Sequence, residues 1–425
     1  MLHIWWTPPS APLNTHNFDK NNLEGKRIRA KQEMKHRHCI ATVVSFVLLL
    51  CSFSLAFWVI PDKSFSAREN RALQMLPRFD IQNLFSGELS NAYNDYYADQ
   101  FPARDVLVTL KGAFELLSGK GENNGILLGR GGQLAKRLFS TARADNDAAE
   151  NSDIIDREHL KNATEGINFA AENIDIPFAV FLTGRTADVA ASAFSYSRDG
   201  SDAMLQTLRE NVSENVNYLD LVPTYRTRYE NGEYVYYRTD HHWTTLGAYY
   251  AYCEIMKAFG MEKDIIPEEK FAKETGSTSF YGTFASKSGF RFVKPDSVEL
   301  WLFGNEDDFL VTADGRTLKD GLYNRAHLNG NDKYSVFLDG THDVVTVTKK
   351  DSQDRPRLAI FKDSFANSVA PFLAQHFDLV LYNLSSPRTD YTDITTWSHA
   401  CDADAALVLY TLGNVIETDK MNHLR

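Results

Sequence analysis

From Cys39 to Ile60 the chain runs for 22 residues without a charged side chain. Helical at about 1.5 Å per residue, this stretch would be roughly 33 Å long, slightly more than the roughly 30 Å hydrocarbon core of a bilayer. A helix is the form in which a lone apolar segment satisfies its own backbone in lipid. Ahead of it stand Lys26, Arg27, Arg29, Lys31, Lys35 and Arg37, with only Glu33 of opposite sign, and Pro61 and Asp62 follow it. The positive-inside rule therefore leaves the N-terminus in the cytoplasm. A cleaved signal peptide would carry a shorter apolar core and a small-residue cleavage site. The expectation is a basic cytoplasmic tail over 1–38, an uncleaved anchor over 39–60, and a single-pass protein of the cytoplasmic membrane whose remainder lies outside.

That remainder holds 38 Lys/Arg against 53 Asp/Glu, a net charge of −15. Such acidity excludes nucleic acid as a partner class. Trp5, Trp6 and the Pro8–Pro12 stretch lie in a tail without periodicity and suggest no function. Cys39 and Cys51 belong to the anchor, while Cys253 and Cys401 match no metal-ligand spacing and read as two buried thiols.

Residues 61–121 read as a mostly helical juxtamembrane collar, with apolar residues at helical intervals before and after Phe101-Pro102. Arg68, Glu69, Asn70, Arg104 and Asp105 in it read as solvated ion pairs. The catalytic body is expected over 122–425. Strand-like runs at Ile176–Thr183, Leu358–Phe361, Leu379–Leu384 and Ala405–Thr411 alternate with helical segments, the pattern of an α/β fold with a parallel sheet covered on both faces. Between 262 and 357 the pattern changes to short β-like runs with Asp-Gly turns at Asp314 and Asp339. This is expected to be a hairpin-rich insertion roofing the active site.

Two stretches carry chemistry. Around Asp240-His241-His242-Trp243, a carboxylate two residues before an imidazole shares its face if the segment is extended, so Asp240 can fix the tautomer of His242. Thr244 or Thr245 then caps a helix that Gly260 ends. In RLAIFKDSFANS, Ser364 falls on a strand-to-helix turn, where a hydroxyl is exposed at the carboxyl edge of a sheet near unpaired helix-start N–H groups. Gly413-Asn414 lies at the carboxyl end of another strand. The cluster has three readings: an acid–base pair serving Ser364, a polar knot at a helix start, or a metal site. Adjacent His241 and His242 diverge if extended, and no third partner is signalled, so no metal is expected.

TDHHWTTLGAYYAY together with KDSFANS resembles the DHHW protein family and, behind it, AlgX/AlgJ-type O-acetyltransferases with a circularly permuted SGNH-hydrolase-like domain. SARENRAL, DQFPARD and GILLGRGGQL upstream extend the resemblance from Ser66 to the C-terminus. It implies Ser364 as nucleophile, His242 as base and Asp240 as its orienter, because His242 is the histidine directly before Trp243. It also implies Gly413 and Asn414 as oxyanion donors, and an envelope or exported polysaccharide as acceptor of an acetyl group. No cofactor is implied, and an acyl group supplied through the membrane would call for a membrane-bound O-acyltransferase as partner. Two departures stand out: His241, where AlgX/AlgJ proteins carry a small polar residue, and Lys362, where many SGNH hydrolases carry Gly. His241 and Trp243 are the candidate substrate contacts. A catalytically silent envelope protein that binds glycan or organises a membrane complex is the alternative.

Protease added to intact protoplasts is expected to leave only a small anchor fragment. Survival of the full-length chain would overturn this topology.

Overall fold

The computed structural model describes residues 15–66, 71–79, 87–137, 146–194, 199–352, 354–386 and 394–425. Arg68, Glu69 and Asn70 lie outside the described residues. The chain forms two compact units, Met1–Ser64 with Leu73–Arg104, and Phe65–Ala72 with Asp105–Arg425.

In the first unit a helix, α1 (Thr15–Val59), contains one span, Met34–Val59, long and apolar enough to cross a membrane and unburied along its length. Its last turns meet α2 (Glu88–Gln100) through aromatic contacts, Phe57 edge-on to Tyr96 at 5.7 Å and Phe53 stacked on Phe101 at 5.4 Å. Between the anchor and residue 79 the described collar residues are not helical. Phe65–Ser66 pairs with Arg71–Ala72, and 73–79 has no regular structure. Helix resumes in α2 and in α3 (Arg104–Leu117), on either side of Phe101-Pro102. Pro61 and Pro77 lack the N–H a helix interior needs. Arg104 does pair with Asp99, at 3.8 Å.

The second unit is built on an eight-stranded sheet: β1 (Phe178–Thr183), β2 (Asn217–Asp220), β3 (Phe309–Ala313), β4 (Arg316–Thr317), β5 (Val344–Lys349), β6 (Arg357–Lys362), β7 (Asp378–Asn383) and β8 (Ala405–Thr411), in the order β4-β3-β5-β7-β6-β8-β1-β2. β7, β6, β8, β1 and β2 are mutually parallel; β5, β3 and β4 continue the sheet antiparallel. Successive side chains of the parallel strands enter opposite cores. Phe181, Ile360, Leu381 and Leu409 face one side, and Val180, Phe361, Val380 and Val408 the other. Both faces are covered, which is why these strands read as continuous apolar runs. β2 escaped the sequence reading because NYLD is short and polar, as an edge strand can be.

The insertion is corrected in part. Residues of DFLVT and DVVTVTK do not form a separate roof: as β3 and β5 they extend the main sheet through Val344↔Tyr382. Asp314-Gly315 is the expected hairpin turn, with φ of 48° and 76°, the left-handed pair that suits a two-residue hairpin. YSVFL is not a strand; its first residues belong to a short 3₁₀ helix, Lys333–Val336. VELWLF does pair, with Ala272–Phe280, in a sheet of its own.

Helix α4 (Thr245–Ala258) starts at Thr244, whose hydroxyl accepts from Gly247 N, and packs on α5 (Ala366–Leu373) with Tyr252 stacked on Phe372. Its first turn lies against the preceding segment. A Cβ on Gly247 would stand 2.3 Å from Val235 O, so only glycine fits. Gly247→Ala is expected to cost about 1–3 kcal/mol by overpacking, read as a lowered midpoint in chemical unfolding.

Candidate active site

The sheet registers bring its carboxyl ends level. Lys362 lies beside Asn383 and Leu409, and Thr411 beside Thr183. Ser364 follows β6 by two residues, and a short helix, α6 (Leu412–Glu417), begins directly after β8. The crevice outside the carboxyl ends is where open α/β sheets collect ligands.

Asp363 fixes the Ser364 turn. One carboxylate oxygen accepts from Phe365 N at 3.0 Å, and the other from Thr411 N at 2.8 Å and Asn414 Nδ2 at 2.9 Å. The Ser364 turn and the start of α6 are thereby tied to one buried carboxylate. Gly413 and Asn414 do stand at the same edge as Ser364, and both line a cleft of about 200 Å³ together with Arg185, Thr186, His241 and Phe365.

Asp240 and His242 come together, though not by strand alternation. The segment folds as a tight loop closed by an antiparallel bridge between Tyr236 and Trp243. Asp240 Oδ1 accepts from the His242 backbone N at 3.0 Å, a local turn that Asp favours. In this loop His241 does not diverge from His242, as extended backbone would require. The two rings lie 3.8 Å apart, and His241 Nδ1 is 3.5 Å from Asp240 Oδ1. Asp240, His241 and His242 therefore present three donors that could hold a cation, a convergence the expectation of diverging imidazoles did not foresee.

The hydrogen bonds run in one line. Ser364 Oγ is 2.7 Å from His242 Nε2, and His242 Nδ1 is 2.6 Å from Asp240 Oδ1. With the proton on Nδ1 donated to Asp240, Nε2 accepts from the serine hydroxyl. The other Asp240 oxygen accepts from Thr283 N at 2.7 Å. Gly282 presses on the same carboxylate: a Cβ there would fall 2.3 Å from Asp240 Oδ2. Burial works to raise the Asp240 carboxyl, but the two imidazoles outweigh it and hold it well below the usual carboxylate range. Burial, aided by repulsion from His241, pushes the His242 imidazolium below the ordinary value of 6.5 against the pull of Asp240. For His241 burial also opposes the charge, yet the attraction of Asp240 prevails and raises it.

Tyr334, from the insertion, was not singled out by the sequence. Its ring stacks on His242 at 3.6 Å and 8°, and its hydroxyl donates to Ser364 O at 3.1 Å. It also lies 3.0 Å from Ser368 Oγ, which accepts from Trp243 Nε1 at 2.8 Å. Trp243 is corrected here. Its ring is wholly buried against Phe181, Tyr225 and Phe365, so it braces the site from within and presents no surface to a substrate. His241, its side chain 38% exposed, does reach the cleft. Lys362 is fully buried, its Nζ donating to Asn367 Oδ1 at 2.8 Å, and burial brings its ammonium down to about 8. Cys253 and Cys401 are free thiols, half-buried.

The fold is similar to that of Bacillus cereus PatB1, at 17% identity over 69% of this chain and 98% of that one, with a TM-score of 0.55. A second PatB1 structure, with a sulfonyl adduct, matches at a TM-score of 0.53 over 62% of this chain and 91% of that one, also at 17% identity. A DHHW family protein from Eubacterium siraeum matches at 19% identity over 71% of this chain and 95% of that one, with a TM-score of 0.52. Among curated proteins no match was found. The DHHW protein family model matches residues 165–383, just over half of the chain, from the helix before β1 to the end of β7. With the Asp-His-His-Trp loop and the Ser364 turn both inside that match, the chain belongs to the DHHW family.

Proposed function

We propose that this chain is a membrane-anchored enzyme that transfers an acyl group through an ester on Ser364, with its catalytic unit outside the cytoplasmic membrane. The observation that carries this reading is the unbroken line from the Ser364 hydroxyl through His242 to the buried Asp240 carboxylate. Serine is a weak nucleophile unless a base takes its proton as it attacks. In this reading Ser364 Oγ bonds to the acyl carbonyl carbon and its proton passes to His242 Nε2. Asp240 stabilises the imidazolium, and the leaving alcohol takes that proton as its bond to the acyl carbon breaks. An acceptor hydroxyl repeats the sequence in reverse, with His242 as base. Asn414, steadied by Asp363 through one amide hydrogen, has a second to offer a developing oxyanion, beside the Gly413 backbone.

The resemblance to AlgX/AlgJ-type proteins supports acetyl as the acyl group and an envelope or exported polysaccharide as acceptor. A membrane-bound O-acyltransferase would pass the acetyl group across the bilayer. His241, in the cleft and charged more readily than an ordinary histidine, would meet the acceptor. The tail of Met1–His38 would then be cytoplasmic and the anchor uncleaved.

PatB1 carries a sulfonyl adduct in one of its structures, which suggests the probe. Phenylmethylsulfonyl fluoride is expected to label Ser364 in the intact chain, seen by peptide mass. An unlabelled Ser364 would leave the catalytically silent reading. With an activated acetyl ester, Ser364→Ala should abolish acyl-enzyme formation and His242→Ala should slow it by about 10²–10⁴-fold. Asp240→Asn should cost less than removing the nucleophile. Gly282→Ala should resemble it, because the added methyl displaces the carboxylate. His241→Ala should spare acylation.

The pH dependence has a definite sign. The base acts when neutral, and the His242 pKa is lowered. Acylation should be full at neutral pH and lost as pH falls through a midpoint below 6.5. In Asp240→Asn the midpoint should fall further, since the carboxylate that favoured the imidazolium is gone. A midpoint above 6.5 in the native chain would contradict His242 as the base.

A further inference from the structure

Helix α3 turns an apolar face away from the unit it belongs to. From Asp105 onward it is part of the catalytic unit, and Val108 and Gly112 press it against the Ser288–Phe290 segment. On the opposite side Val106, Leu107, Leu110, Phe114 and Leu117 are 40–87% exposed. At 100° per residue these five cover an arc of about 100°, with no charged residue inside it. Asp105 and Glu115 lie outside the arc, and Lys111 stands about 40° beyond Leu107.

Lys111 opens onto a cleft of about 960 Å³ that also holds Lys120, Arg130 and Arg137, against Glu115 and Glu122. Two of the four cations are paired to those carboxylates, at 2.5 Å for Lys120–Glu115 and 3.0 Å for Arg137–Glu122. Lys111 instead meets the neutral Asn124 side chain, and Arg130 the Ser192 carbonyl. The apolar arc is thus bordered by a patch of net positive charge on a unit that is otherwise acidic.

We infer that this face of α3 rests in the interfacial layer of the same bilayer that α1 crosses, with the bordering cations against anionic lipid headgroups. The inference rests on the anchor and is independent of the acyl-transfer reading. Two observations select the bilayer as occupant. The spanning helix ends at Val59, so the 44 residues before Arg104 tether α3 to a membrane surface at all times. And five side chains on a helix about 21 Å long fall short of the roughly 20–30 residues a side of a stable protein interface, whereas an amphipathic helix with an aromatic on its apolar face and cations at its border suffices for lipid.

The test uses the full chain in bilayer discs containing phosphatidylglycerol, with spin labels on Leu110→Cys and, separately, Leu117→Cys, each compared with the parent chain to subtract its native cysteines. Both positions are exposed, so neither change disturbs packing. Expected is collision with oxygen together with at least several-fold protection from a water-soluble nickel chelate. Labels open to the nickel chelate would overturn the proposal, and so would labels shielded from both reagents with the dipolar broadening of a second copy. A label on Val47→Cys reports the anchor by itself. If it is water-accessible, the anchor fails and this inference with it; if it is buried while Leu110 and Leu117 are wet, the helix contact alone fails.

Discussion

The site depends on keeping one carboxylate ionised in the protein interior. Asp240 is 2% exposed, and a buried charge without compensation would neutralise itself. Four groups compensate it: the His242 ring and backbone nitrogens, Thr283 N, and the neighbouring His241. They come from two constraints on the chain. The Tyr236–Trp243 bridge closes the loop that aims the histidines, and Gly282 lets the Thr283 amide approach. The two His242 nitrogens and Thr283 N hydrogen-bond the carboxylate directly, so losing one of them leaves a buried charge short of a partner.

Much of this was legible in the sequence because the signals were local. Apolar runs of six or seven residues mark strands buried on both faces, and four of the parallel strands carry them. Thr244 and Gly260 bracket α4 as cap and stop, and Gly260 takes the positive φ of 71° expected of such a stop. Asp240, His242 and Ser364 could be singled out from residue type and turn position, and the resemblance to the DHHW family then gave each its expected role. The reason given for the first two meeting was wrong: a hydrogen-bonded turn, not strand alternation, joins them. Period-two reasoning holds only where backbone pairing keeps the chain extended, and bends occupy 238–242.

What escaped was set by distant contact. Tyr334 lies 92 residues after His242 in a stretch whose residues look like a strand, and nothing local announces that its ring will stack on the imidazole. Trp243 was read as a candidate substrate contact. Its burial follows from Phe181, Tyr225 and Phe365 closing around it, and an indole with one N–H partner is well placed in such a core. Lys362 was read only as a departure at the turn. In the fold its amine reaches Asn367, so the side chain that replaces glycine stiffens the strand-to-helix corner from beneath.

The insertion therefore cannot be treated as an accessory to the main sheet. β5 enters the sheet with Val344 beside Tyr382, at the carboxyl edge, so the loop ahead of it must pass the Ser364 turn. Leu338 and Asp339 take left-handed backbone there, and Gly340 O accepts from Asn367 Nδ2 at 2.9 Å. Asn367 in turn receives Lys362 Nζ, while Tyr334 from the same loop holds Ser364 O. Two hydrogen-bonded links thus run from one segment of the insertion to the two sides of Ser364. A shift of that segment would therefore disturb the ring stacked on His242 and the backbone of Ser364 together.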